Sequence, residues 1–143
     1  MDYIFAAAIE ADPEGGFLVT FPDVPEAITS GESMAEARSA GAEALGLALR
    51  GIAAIGRSLP RPQAQGEGLV PIAVAPDTAL KLAVVEAFAE SGLSKRELAR
   101  RLGKGETEAR RILDPDHPTK LSVLQVTLAL LGKDIVISVR DAA

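Results

Sequence analysis

The sequence predicts an α+β chain in two parts: a small sheet with one long helix over 1–75, and a set of short helices over 76–143. Three observations carry this. Two apolar strand-like runs flank a Gly-Gly turn near the N-terminus. A Ser-x-x-Glu capping box then opens about twenty residues of helical periodicity. From Pro76 onward the pattern changes to short capped helices separated by glycine or proline.

Tyr3–Ile9 reads as a strand without clean alternation, which suggests cover on both faces. Asp12-Pro13-Glu14-Gly15-Gly16 is a turn cluster, and Phe17–Phe21 is the second arm of a hairpin. Pro22 and Pro25 stop that arm, and a short third strand is expected near Ala27–Thr29. Ser33 and Glu36 form the capping box of a helix running to about Ile55. Its buried stripe is expected at Met34, Ala37, Gly41, Leu45, Ala48, Ile52 and Ile55, with Gly56 as the stop. After a Pro- and Gly-rich loop over 57–68, Leu69–Val74 reads as an edge strand because of Pro71. The order β-β-β-α-β indicates one helix packed on one sheet.

The second part opens with a helix from an Asp77 cap to Ser91, with Leu80, Val84, Ala87 and Phe88 on one side. Further helices are expected over 94–102, 106–113 and 122–131, with capping boxes at Ser94/Glu97 and Ser122/Gln125. Ile135–Val139 is strand-like, so the second part is expected to end in a short strand.

Charge divides the same way. Residues 1–75 carry four basic and ten acidic side chains, whereas 92–113 carry seven basic and three acidic. The net charge of −5 argues against a generic nucleic-acid binder, but this asymmetry suggests two jobs. The absence of cysteine removes disulfide frameworks and thiolate metal sites. The start Met1-Asp2-Tyr3 has no basic segment ahead of an apolar run, and no stretch is long and apolar enough to span a bilayer. A cytoplasmic protein without membrane contact is therefore expected.

The sharpest motif is Leu93–Leu113. Leu98 and Leu102 hold a first helix on the core, Ala99 admits a close crossing, and Gly103 permits a tight turn. Ala109 and Ile112 face a second helix inward, leaving Glu106, Thr107, Arg110 and Arg111 outward. Over 77–132 the pattern resembles the Cro/repressor-type helix-turn-helix family, with Lys104 and Ala109 standing where apolar and β-branched residues are usual. That resemblance implies a reading helix in the major groove of operator DNA. Arg110 would take a guanine edge, Thr107 a base edge or thymine methyl, and Glu106 a cytosine amine. Lys95, Arg96, Arg100, Arg101, Lys104 and Arg111 would hold phosphates.

In the first part, the Gly-Gly-aromatic strand of 15–21, the Phe21-Pro22-Asp23-Val24-Pro25 stop and the capped helix after Thr29–Ser33 resemble the HicB antitoxin family. Glu26 replaces the glycine often found after the second proline. The resemblance implies a truncated ribonuclease-H-like unit that binds a small basic toxin of the HicA type, an mRNA-directed ribonuclease. The second part would then repress the chain's own operon as a homodimer or homotetramer. No enzyme activity and no cofactor are expected. Two other readings stay open: a ligand-sensing helix-turn-helix regulator, and a metal-dependent nuclease using Asp2, Glu10, Asp12, Glu14 or Asp23. Acidic residues at strand ends and turns are ordinarily just solvated, and the single His117 cannot build a His-rich metal site.

Overall fold

A computed structural model describes residues 1–142. The elements are β1 (Ile4–Ala11), β2 (Phe17–Thr20), β3 (Ile28–Gly31), α1 (Met34–Ala54), β4 (Leu69–Ala73), α2 (Pro76–Ser91), α3 (Lys95–Leu102), α4 (Glu106–Leu113) and α5 (Leu121–Leu130). The strands form one antiparallel sheet in the order β3-β2-β1-β4. No helix among the described residues is long and apolar enough to cross a membrane.

Hairpin chemistry sets the sheet. Asp12 N donates to Gly16 O, Gly15 N donates to Asp12 O, and the turn joins β1 to β2 in the register Ala11↔Phe17. β4 lies at the edge as Pro71 requires. Val74 N donates to Tyr3 O, so alternate residues face β1, and Pro71 turns its missing donor outward. Phe5, Ala7, Val19 and Ile72 point to one face and are buried under α1.

Ser33 caps α1: its Oγ accepts from Glu36 N, worth about 1 kcal/mol. Glu36 reaches back to Glu32 N rather than to the cap residue's own N–H. Ala37, Gly41, Leu45, Leu49 and Ile52 form the buried side. Gly41 lies so close to the sheet that an added Cβ would stand 3.1 Å from Ile72 Cδ1. Met34 and Ile55, expected in the stripe, are exposed; the buried side runs only from Ala37 to Ile52, and Ile55 is the C-cap rather than a helical residue.

Helix α2 joins two apolar clusters. Its Leu82 packs with the sheet and α1, whereas Val84 and Ala87 pack with Leu98, Ile112, Leu124 and Leu128. Tyr3 adds a polar tie to the same helix, its hydroxyl donating to Glu86 Oε2 at 2.6 Å. Burial, reinforced by the Glu86 carboxylate, pushes the Tyr3 phenol well above its ordinary range.

Four expectations need correction. Asp77 does not cap α2: Ala75 does, and the Asp77 carboxylate accepts from Thr78 N inside the first turn. The Ser122/Gln125 box does not form, because α5 already begins at Leu121 behind Lys120, without a side-chain cap. Tyr3–Ile9 is not covered on both faces. The strand lacks alternation because Ala6 and Ala8 fill outward positions that usually carry polar groups. The strand expected over Ile135–Val139 is absent from the single chain. Ile135 leans on the second cluster, but Val136 and Val139 are 89% and 92% exposed, and no strand lies alongside to supply a ladder.

Candidate nucleic-acid interface

The basic segment folds as α3, a tight turn and α4. Ser94 Oγ accepts from Glu97 N and starts α3. Gly103 ends it at φ 67°, a left-handed conformation that side chains with a Cβ resist. Lys104 N then donates to Ala99 O, and Gly105 enters α4 in extended backbone. Leu98, Ala99, Ala109 and Ile112 are all buried, so the inward assignment of both helices holds. Glu106, Thr107, Arg110 and Arg111 are all exposed on α4.

The cations expected here fall into two groups. Among the described residues, Lys95, Arg96, Arg110 and Arg111 form no ion pair. Arg100 and Arg101 are instead both held by Glu97: Arg100 Nη2 lies 2.6 Å and Arg101 Nε 3.1 Å from Glu97 Oε1. Hydrogen bonds from these two guanidinium groups hold the Glu97 carboxyl down at about 2 and raise Arg100. Lys104 Nζ pairs with Glu108 Oε1 at 3.3 Å. Three expected phosphate contacts are therefore already partnered in the free chain.

Sequence reasoning missed Lys81, a residue that α4 depends on. Its side chain is only 4% exposed. The Nζ donates to Arg111 O at 3.0 Å, to Ile112 O at 2.8 Å and to Thr119 Oγ1. An ammonium has three donors, and here each finds an acceptor, which offsets the cost of burying the charge. Two of those acceptors are last-turn carbonyls of α4: Ile112 O has no partner within the helix, and Arg111 O also accepts from the C-cap Asp114 N. Burial pulls Lys81 down to about 8, against the nearby Asp114 carboxylate, which favours the charged form. The available signal was a lone lysine between Leu80 and Leu82 on an otherwise apolar helix side.

This chain is 37% identical over 123 residues to the protein named Antitoxin HicB of Escherichia coli K12, covering 86% of this chain and 89% of that one. It is 31% identical over 135 residues to Antitoxin HicB 1 of Photorhabdus laumondii, covering 94% and 86%. It is 30% identical over 141 residues to Antitoxin HicB of Pseudomonas fluorescens, covering 97% of both. The chain belongs to the HicB antitoxin family. No protein-family model matches it. A likeness of 123 residues or more cannot fit inside either 1–75 or 76–143, so the HicB relationship runs through both the sheet and the helices.

In this HicB-family chain the acidic residues weighed as nuclease ligands do not converge. Asp23 Oδ2 accepts from Gln63 N and Ala64 N, both at 2.8 Å, and so pins the loop between α1 and β4. Asp12 Oδ1 accepts from Glu14 N within the hairpin turn. Among the described residues, no group of three or more His, Asp and Glu side chains is placed to hold a metal ion. His117 is exposed in the connector between α4 and α5.

Proposed function

We propose that this HicB-family chain neutralises a small basic ribonuclease toxin of the HicA kind through residues 1–75. Residues 76–143 bind operator DNA as a helix-turn-helix and repress the chain's own operon in the cytoplasm. The β-β-β-α-β order supports the truncated ribonuclease-H-like reading of the first unit.

One observation carries the DNA half. Helix α4 offers Thr107, Arg110 and unpaired Arg111 on one exposed side, while its inner side and its C-terminal end are fixed by Ala109, Ile112 and Lys81. A fixed helix with an open cationic side suits base readout, and Lys95 and Arg96 are free to take phosphates. Fluorescence anisotropy with DNA from upstream of its own gene tests this. Arg110→Ala should weaken binding by about 1–3 kcal/mol and relax the preference at one base pair. Unchanged operator affinity would exclude α4 as the reading helix.

Operator binding of this type uses two half-sites, so the active form is a homodimer or homotetramer. The exposed Val136, Ile137 and Val139 support pairing of the C-terminal segment with another copy. Deleting 134–143 should reduce sedimentation mass and weaken operator binding. A deletion variant that stays dimeric with full affinity excludes that role.

A further inference from the structure

We propose that the open face of the sheet is where the basic toxin docks. This rests on the antitoxin reading above. α1 covers one face of the sheet, and the registers place Ile4, Ala6, Ala8, Leu18, Ile28 and Leu69 together on the other. Ile28 is 63% exposed, and Leu18 and Ile4 are also exposed. Glu10, paired with Leu18, is the single charged strand residue on that face, and Thr20 and Ser30 are its uncharged polar ones. A one-sided antiparallel sheet ordinarily presents polar residues to water, so this apolar face is built for a cover.

Charge identifies the cover. No lysine or arginine occurs between Met1 and Ala37 or between Pro62 and Leu80, so every strand lacks a cation. Glu10 lies within the face, and exposed Glu26 and Glu67 each stand two residues ahead of the face residues Ile28 and Leu69. The four basic residues of the first part, Arg38, Arg50, Arg57 and Arg61, all lie on α1 and the loop after it. Arg140 reaches Pro71 O at 3.5 Å, on the side of β4 turned away from β1. The face therefore fits an apolar surface ringed by lysine or arginine. A second copy seated there about a two-fold axis would set Glu10 and its acidic neighbours against their own images. Nucleic acid would meet only like charge.

The test uses the whole 143-residue chain and, as probe, a purified small basic ribonuclease toxin of the HicA kind. Titration calorimetry is run with wild type, Leu18→Arg, Ile28→Arg and Glu10→Lys, with Leu47→Arg on the exposed side of α1 as control. Each variant is first checked for native circular dichroism and wild-type operator binding. The sheet-face variants should weaken the complex by about thirtyfold or more, the size expected of central interface residues. Leu47→Arg should leave it unchanged. Wild-type affinity in all three sheet-face variants, or loss only in Leu47→Arg, overturns the docking face while the antitoxin reading stands. Sheet-face variants that change the sedimentation mass of the chain alone would identify a second copy as the cover and overturn the proposal. No binding by wild type removes the antitoxin reading and this inference together.

Discussion

Lys81 Nζ donates to the carbonyl oxygen of Ile112 at 2.8 Å, tying the middle of α2 to the last turn of α4. The same ammonium also takes Arg111 O. One buried cation thus fixes the angle at which α4 leaves the core. Because Leu82 on the same helix packs with the sheet, α2 is physically continuous with both halves of the molecule.

Lys81→Met should therefore do more than lose a charge. It leaves Ile112 O without its donor, at about 1–3 kcal/mol if that group stays dry, while Arg111 O keeps the Asp114 amide. Relief of the desolvated charge offsets part of that loss. Urea unfolding should show a lower midpoint, and operator affinity should fall about tenfold although no DNA contact is altered. A variant with wild-type affinity would separate Lys81 from α4 placement.

The same lysine sets a pH dependence. Its folded value of about 8 lies below the unfolded value of 10.5, so between these the unfolded chain holds more protons. Stability from this group therefore rises with pH above about 8 and is flat below it. Tyr3 acts oppositely above pH 10, because its phenol stays protonated in the fold while the unfolded chain ionises. Urea midpoints from pH 8 to 9.5 should rise more steeply in wild type than in Lys81→Met. Parallel curves would contradict the buried ammonium.

Glu97 restrains two of the cations on α3. Glu97→Gln should loosen Arg100 and Arg101, strengthen binding to non-specific duplex and steepen its salt dependence by up to about 2 in log–log slope. The ion pairs are exposed, so little change in unfolding midpoint at neutral pH is expected. Salt titrations by anisotropy check this. An unchanged slope means that neither guanidinium meets phosphate.

Gly31 ends β3 directly against the start of α1. A Cβ there would fall on the backbone of Glu36 and Ala37, which a packed helix cannot yield cheaply. Gly31→Ala should cost about 1–3 kcal/mol by overpacking and lower the thermal midpoint. An unchanged midpoint would show that the β3–α1 junction is looser than described.

Much of this fold is legible because local chemistry agrees with the final packing. Ser33 and Ser94 cap helices where the sequence places them, Pro71 sits on an edge strand, and Gly103 takes the left-handed turn. Failures occur where a local signal competes with tertiary placement. Ser122 and Gln125 have capping-box spacing, but α5 already starts at Leu121. Ile135–Val139 has strand composition but no neighbouring strand in its own chain. The cations of 95–111 are visible by type, yet their pairing depends on side-chain geometry. Spacing alone could not separate Arg100, held by Glu97, from Arg110, which is free. Lys81 was hidden because its three acceptors lie thirty or more residues away.

The antitoxin role is tested most directly in living cells. A small basic ribonuclease toxin of the HicA kind is expressed from an inducible promoter, with and without the chain, and growth and mRNA integrity are followed. The partner alone should arrest growth and cleave mRNA, and co-expression of this chain should restore both while a stoichiometric complex is recovered. Arrest that persists despite co-expression of the folded chain would contradict the account.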